Sequence, residues 1–338
     1  MKKTLARILA LCLVFALCAF GAQAAFAEET AADYDVAGKK IALCVLHLGN
    51  DFNRGVKNGV EKMAEEFGLD LVVTNGQGDN NKHVSDIQNL VSMSDDLSGV
   101  IICGGEEPSF APYMKELQDK GIPCVTIDMV SEYSNCNITS DNFNGGEQLS
   151  LYVNNKLKSN GNILLLDGTG WLSLEIRGRM LKEVISDHPN LNICQTMIST
   201  SNDAVNAVYK DVKAYLMGNP DVGAIYCTWG LPSVGAAMAL RELGLEDKIF
   251  IVCTDADQVV LEEMMEEDSP LTAVVGQYPE KMGSTAVEQV VRAINGEELP
   301  REVYAPIILI EKNDPTAWFT PIQPMTPEEA FQALYPDA

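Results

Sequence analysis

Short apolar segments alternate with amphipathic helical patterns along the chain from Lys39 onward. The apolar segments are about five to eight residues long, the length of buried strands, and the patterns between them repeat with the helical period. This alternation predicts an α/β protein with parallel sheets, because a parallel strand needs a crossover, usually a helix, before the next strand. The segments read KIALCVLHL, LDLVVTN, GVIICGG, PCVTID, NILLLDG, LNICQTM, VGAIYCTW, IFIVCTD, LTAVVGQ and YAPIILI.

The helical patterns each show one apolar face and a recognisable end. In the first, Gly68 follows the last apolar position, and in a later one the residues Gly218-Asn219-Pro220 do so, which predicts that these helices end there. The apolar faces are formed by Val56, Val60, Met63, Ala64 and Phe67 in the first helix, and by Val205, Val208, Val212 and Leu216 in the later one.

About ten predicted strands are too many for one mononucleotide-sized unit and suit two. A break falls at NITSDNFNGGEQ, residues 137–148, which is rich in Asn, Gly and Ser. A helix and a strand in 278–310 could cross back to the first half, and the proline-containing tail from Lys312 reads as a surface extension. The sequence therefore predicts two similar halves, each a run of strand–helix units.

The first 27 residues are set apart from this pattern. Lys2, Lys3 and Arg7 precede the apolar run 8–21, which small residues follow, as in a secretory signal with cleavage near Ala27. Three of the 24 basic residues belong to this signal, so 21 basic residues remain against 48 acidic ones, a net charge of −27. Such a chain repels nucleic acid and anionic lipid, so we expect neither as a partner.

Seven cysteines follow the predicted signal, and most lie inside apolar segments. No CxxC motif occurs and the three histidines are scattered. We interpret the cysteines as small buried hydrophobic residues and expect no metal site, no disulfide framework and no cofactor.

Polar and aromatic residues follow several of the predicted strands. In open parallel sheets ligands bind beyond the carboxyl ends of the strands, so these residues are candidates for a binding crevice. Carboxylates and amides bind adjacent hydroxyls, and flat rings stack on the C–H faces of sugars. Alternatively, Asp128 and Asp255 could cap the following helices, and rings such as Trp171 could pack in a core. The candidates are Asn50, Phe52, Glu106, Asp128, Asp167, Trp171, Trp229, Asp255 and Gln277.

Several segments, which follow one another in the same order as in the family, resemble substrate-binding proteins of the ribose-binding, periplasmic type I class. Lactose-repressor-like regulators share the core of that class. The pieces include IALCVLHLGNDFNRGVKNGVEKMAEEFGLDLVV, GIPCVTID, TSDNFNGGEQLSLYV, GNPDVGAIYCTW, VCTDAD and VVGQYPEKMG, and they span nearly all of 39–312. The resemblance implies two Rossmann-like lobes with parallel sheets joined by a three-strand hinge. It implies a first lobe of 36–140 with 278–305, a second of 141–277 with 306–313, and an extension at 314–338.

The resemblance also implies ligand contacts, position by position. Two positions depart from the ribose type: Met129 and Glu175 stand where those proteins carry arginine, and Arg177 then becomes a structural arginine. We therefore expect Asp128, Glu175 and Asp255 to form an acidic pocket that excludes phosphorylated and carboxylated ligands. Alternatively, Glu175 points to solvent and Arg177 takes its place, which restores the usual pocket. The predicted contacts are Asn50, Phe52, Asn53, Glu106, Asp128, Met129, Glu175, Asn202, Trp229, Asp255 and Gln277.

The resulting hypothesis is an exported, monomeric binding protein rather than an enzyme. It would capture a small neutral or cationic polyhydroxylated ligand (a sugar, an amino sugar or a cyclitol) and deliver it to an ABC-type permease. A sensory subunit that presents the ligand to a chemoreceptor or sensor kinase is the alternative. A glycosidase that uses the Asp128, Glu175 and Asp255 carboxylates is a third possibility, although no nucleophile–base motif supports it.

Overall fold

The computed structural model describes residues 34–199, 203–312 and 325–335, and these contain two six-stranded sheets. The predicted signal 1–27 lies outside the described residues. Sheet 1 has the order β11-β5-β4-β3-β1-β2 and is parallel throughout. Its strands are β1 (Lys40–Val45), β2 (Asp70–Asn75), β3 (Gly99–Cys103), β4 (Cys124–Ile127), β5 (Cys136–Ser140) and β11 (Glu302–Ala305).

Sheet 2 has the order β12-β10-β9-β8-β6-β7, and only β12 is antiparallel to its neighbour. Its strands are β6 (Gly161–Asp167), β7 (Leu191–Ile198), β8 (Val222–Cys227), β9 (Phe250–Thr254), β10 (Leu271–Gln277) and β12 (Ile307–Glu311). We call the sheets with their packed helices lobe 1 and lobe 2.

Helices cover both sheets, as expected for parallel strands. In lobe 1 these are α1 (Asp51–Glu66), α2 (Asn80–Ser92), α3 (Glu107–Asp119) and α9 (Pro279–Ile294). In lobe 2 they are α4 (Asn142–Lys156), α5 (Leu172–Ser186), α6 (Ala204–Leu216), α7 (Leu231–Leu243), α8 (Gln258–Met265) and α10 (Pro327–Leu334). No helix in the described part of the chain has the length and apolarity needed to cross a membrane.

The chain passes between the sheets three times: after β5, after β10 and after β11. The last passage divides the apolar segment YAPIILI, which the sequence pattern had suggested as one strand. Pro306 lies at the division, and proline has no N–H to donate to a sheet ladder, so the chain leaves sheet 1 there and enters sheet 2.

One strand was not predicted. β5 reads CNITS, whose polar residues made the region look like a linker, yet all five residues are buried in sheet 1. The predicted ends of α1 and α6 are confirmed, and Gly68 has the left-handed φ of +64° that suits a residue just after a helix. Six of the seven described cysteines are buried, as predicted, and Cys194 is exposed.

Helices α1 and α9 approach each other closely, which ties the returning segment into lobe 1. A methyl group placed on Gly59 would lie 1.9 Å from the backbone oxygen of Glu280, and one on Gly283 would lie 2.1 Å from that of Val56. Neither position has room for a side chain, so each helix requires glycine where it crosses the other.

We expect Gly283→Ala to destabilise the protein by about 1–3 kcal/mol, because the added methyl group forces the two helices apart. Gly218→Ala is the control: Gly218 is exposed, and its new methyl group would find its nearest neighbour at 3.9 Å. Chemical denaturation measures both. Equal stability of Gly283→Ala and the unmodified protein would contradict the close packing of α1 and α9.

Candidate functional site

Polar side chains near the strand ends are linked by a continuous series of hydrogen bonds that joins the lobes. We call this series, from Asp128 through Thr139, Asn142, Arg177 and Asp255 to Gln277, the polar chain. Thr139 Oγ1 at the end of β5 donates to Asp128 Oδ1 at 2.6 Å, and Asn142 Nδ2 donates to Thr139 Oγ1 at 3.1 Å. Arg177 Nε then donates to Asn142 Oδ1 at 2.8 Å. The chain thus runs from lobe 1 through the first passage between the sheets into helix α5 of lobe 2.

Arg177 carries the chain across lobe 2 to the second passage. Its side chain is 2% exposed, and its Nη1 donates to the Thr228 carbonyl at 2.9 Å and to Asp255 Oδ1 at 3.3 Å. Gln277 Nε2 donates to the same carboxylate. The other amide atom, Gln277 Oε1, is buried and has no hydrogen-bond partner among the described residues. A buried acceptor without a donor is rare and calls for an explanation.

Asp128 and Asp255 have the same backbone conformation and the same kind of backbone hydrogen bond in the two lobes. Both have left-handed φ values, +55° and +79°, which are uncommon for a residue other than glycine. Each N–H donates to the next strand at 2.9 Å, Asp128 to the Ile138 carbonyl and Asp255 to the Val275 carbonyl. Residues kept in such sparsely populated backbone conformations cluster at functional sites, so both aspartates remain candidate site residues.

Burial and neighbouring charges raise the pKa of two carboxyl groups near the polar chain. Burial raises the pKa of Asp128; Asp255 adds to the increase, whereas the Thr139 hydrogen bond and Arg177 oppose it. Burial, reinforced by the charges of Asp255 and Asp51, raises the pKa of Asp257 to about 8. Carboxyl groups are therefore crowded here, which favours protonation of Asp257, and Arg177 is the buried cation that pairs with Asp255 and opposes the rise at Asp128.

A cavity of about 600 Å³ adjoins this polar chain. Three of the predicted contacts line it together: Phe52 from lobe 1, Asp255 from lobe 2, and Gln277 from the passage between them. Beside Asp128 is a narrow recess of about 20 Å³, which Thr139 and Asn142 also line. The remaining walls of the larger cavity come from the starts of α1, α8 and α9 and from the end of α10.

The residues before and inside the start of α1 have structural partners. Asn50 caps the helix, its Oδ1 accepting from the Asn53 N–H at 2.9 Å. Asn53 itself is buried, and its Oδ1 lies 3.6 Å from Cys103 Sγ at the end of β3. Only Phe52 of this trio lines the cavity.

The other predicted contacts that the structure describes follow the ends of other strands and do not line the large cavity. Trp229 is half-buried, and its indole N–H donates to Ser199 Oγ at 3.2 Å. Glu106 is exposed at the start of α3 and makes no capping hydrogen bond. Met129 is 4% exposed and packs in the core of lobe 1, so its side chain does not face the polar chain. Asn202 lies outside the described residues.

The predicted cluster of three carboxylates is corrected by the structure. Glu175 is exposed, and its Oε1 accepts from the Gly170 N–H at 3.0 Å, while Arg177 occupies the interior. The periodicity of α5 explains this, because Arg177 is four residues from both Ser173 and Leu181, which are buried. The structure therefore has the alternative arrangement considered from the sequence, with Glu175 toward solvent and Arg177 inside. Thr139 and Asn142 were missed because their segment looked like a linker.

Comparison with known proteins agrees with this architecture. Residues 41–298 match the sequence pattern of the periplasmic binding protein domain family. The chain belongs to that family. The resemblance inferred from the sequence and the predicted fold of two α/β lobes are thereby confirmed.

Curated relatives and solved structures extend the comparison. The ribose import binding protein of Bacillus subtilis is 26% identical over 80% of this chain and 86% of its own length. A sugar ABC transporter subunit from Rhodobacter sphaeroides has a TM-score of 0.78 and 26% identity, covering 82% of this chain and 99% of that one. An ABC transporter solute-binding protein from Agrobacterium vitis, solved with allitol, has a TM-score of 0.78 and 27% identity, covering 82% and 97%.

The raised pKa of Asp257 predicts that the stability of this family member depends on pH. The unfolded chain releases the Asp257 proton near the ordinary value of 3.8, whereas the folded state keeps it up to about pH 8. Between these values the folded state binds more protons, so stability falls as pH rises. Asp257→Asn removes this loss, and we expect it to be more stable than the unmodified protein by about 1 kcal/mol or more at pH 7.

Thermal unfolding between pH 4 and pH 9 tests this, with the exposed Asp247→Asn as control. The advantage of Asp257→Asn should vanish near pH 4, grow as pH rises, and level off above about pH 8. An advantage that does not change with pH would contradict the raised pKa.

Proposed function

We propose that the protein captures a neutral, polyhydroxylated small molecule, a sugar or a cyclitol, in the cleft between its lobes. The observation that carries the proposal is the polar chain that ends at Gln277. The chain presents the carboxylates of Asp128 and Asp255 from opposite lobes, with Arg177 between them, and a buried amide oxygen that still needs a donor. Adjacent hydroxyl groups supply such donors and accept in return.

Charge and shape narrow the ligand class. Arg177 offsets the charge of only one of the two aspartates, so the polar chain keeps an excess of negative charge that disfavours anionic ligands such as sugar phosphates. Phe52 offers an apolar ring beside Asp255 and Gln277 in the cavity, and a pocket that combines a ring with a few polar groups is typical of small-molecule sites. With Arg177 inside and Glu175 outside, the site favours a cationic ligand less than a pocket of three carboxylates would.

The relatives support this class of ligand. Their names describe binding of ribose and D-allose, and solved neighbours contain allitol or myo-inositol. These are binding proteins of import systems, so we propose export to the periplasm with signal cleavage near Ala27, action as a monomer, and delivery of the ligand to an ABC-type permease. We also retain 36–140 with 278–305, and 141–277 with 306–313, as the proposed moving bodies, and 314–338 as an extension.

Thermal-shift screening against pentoses, hexoses, alditols, cyclitols, amino sugars, sugar phosphates and uronic acids identifies the ligand. A true ligand at about 100 times its Kd should add roughly 2.7 kcal/mol of stability. Asp255→Asn should then raise the Kd about 10- to 100-fold, because it removes a charged hydrogen-bond acceptor from the cleft. Glu175→Gln makes the same chemical change on an exposed residue and should leave the Kd unchanged.

Calorimetry measures both constants, after circular dichroism has established that each variant is folded. Loss of affinity in Glu175→Gln, or unchanged affinity in Asp255→Asn, would contradict the assigned site. A panel in which only sugar phosphates or uronic acids stabilise the protein would contradict the neutral ligand class.

A further inference from the structure

The residue after helix α10 contacts both lobes beside the cavity. Tyr335 follows α10 directly, and its hydroxyl oxygen lies 2.8 Å from the Ala256 carbonyl of lobe 2 and 3.3 Å from Asp51 Oδ2 of lobe 1. The single hydroxyl hydrogen therefore has one acceptor on each lobe. Ala333, Leu334 and Tyr335 line the same cavity as Phe52 and Gln277.

Asp51 makes a second contact between the lobes. Its Oδ2 accepts from the backbone N–H of Gln258, the first residue of α8, at 2.7 Å. The first N–H groups of a helix have no partner inside the helix, and the helix dipole favours a negative group there. Asp257, which precedes α8, makes no side-chain capping bond, so the carboxylate that serves this helix end comes from the opposite lobe.

Helix α10 is anchored firmly enough to hold Tyr335 in place. Ala330 is fully buried in the core of lobe 2, and Phe331 packs against that core and against the Tyr335 ring at 5.5 Å between ring centroids. Thr326 and Glu329 form a capping box at the start of the helix. The backbone of Met325 bonds to β12 through Leu309 and Glu311.

We propose that α10 and Tyr335 form an interlobe clasp: Tyr335, held by lobe 2, positions Asp51 of lobe 1 against the start of α8 and so favours the closed arrangement of the lobes. Tyr335 is a positioning residue, because it acts through Asp51. Burial raises the pKa of its hydroxyl, and Asp51 and Asp257 raise it further, so the hydroxyl remains a donor.

The clasp makes a C-terminal segment part of the closure mechanism. Opening the lobes separates Asp51 from Gln258 and from Tyr335, so both contacts oppose opening. Their consequence for ligand release rests on the binding function proposed above, whereas the contact between the lobes does not. The two parts can therefore be tested separately.

Hydrogen exchange of the full-length protein without sugar tests the contact. Tyr335→Phe keeps the ring and removes the hydroxyl, so exchange at the Gln258 amide should become about 3- to 10-fold faster. Tyr304→Phe is the matched control, because its hydroxyl donates to Glu302 on the same strand at 2.8 Å. Asp51→Asn should also accelerate exchange at Gln258, and adding Tyr335→Phe to it should change the rate little further.

Two results would overturn the clasp. One is a Gln258 amide that exchanges at the same rate in Tyr335→Phe as in the unmodified protein. This holds even if amides within residues 325–335 exchange faster in the variant. The other is equal acceleration in Tyr304→Phe.

Dissociation of D-ribose, D-allose and myo-inositol, followed by tryptophan fluorescence, tests the consequence. A bound sugar should leave Tyr335→Phe about 3- to 10-fold faster than the unmodified protein. If Gln258 exchange is faster in Tyr335→Phe but none of the three sugars binds the unmodified protein, the clasp stands and the result counts against the proposed function. Sugar release at an unchanged rate would overturn the coupling of the clasp to the ligand.

Discussion

A buried guanidinium organises the centre of this molecule. Arg177 is 2% exposed, and such a charge is tolerated in an interior only when it is paired and fully hydrogen-bonded. Its partners come from three other parts of the chain: Asn142 at the first passage between the sheets, Thr228 after β8, and Asp255 after β9. Because losing any of these contacts would leave a buried guanidinium N–H without its acceptor, they hold the three elements together in lobe 2.

Hydrogen bonds between short side chains connect the buried Arg177 to lobe 1. Asn142 donates to Thr139, and Thr139 donates to Asp128, so the position of Asp128 is linked to that of Arg177 across the first passage between the sheets. Gln277 extends the chain to the second passage. A ligand that binds both aspartates would thus contact each lobe and the segments that connect them, which is what closure of a hinged cleft requires.

Much of this could be predicted from the sequence because the signals were local. Alternating apolar segments and helical faces identify ten strand regions, and the strand-end rule locates Phe52, Asp255 and Gln277, which line one cavity. β5 was missed because its burial depends on neighbours in the sheet that only tertiary structure supplies. Met129 and Glu175 were assigned from a resemblance, in which aligned position says little about side-chain direction.

The contacts that join distant segments were beyond prediction. Asp51 and Gln258 are 207 residues apart in the chain, and Tyr335 is 284 residues from Asp51. No periodicity or motif relates such positions, because each residue reads locally as an ordinary helix-terminal residue. Their meeting depends on how two lobes and an extension pack, which is a property of the whole fold.

Small-angle X-ray scattering during titration with the ligand identified by screening tests the central claim most directly. If the polar chain is the ligand site of a hinged cleft, sugar binding should lower the radius of gyration and saturate at the calorimetric Kd, and Asp255→Asn should require correspondingly more sugar. A radius of gyration that is the same in the unliganded protein and at saturation would contradict closure of the two lobes around the ligand.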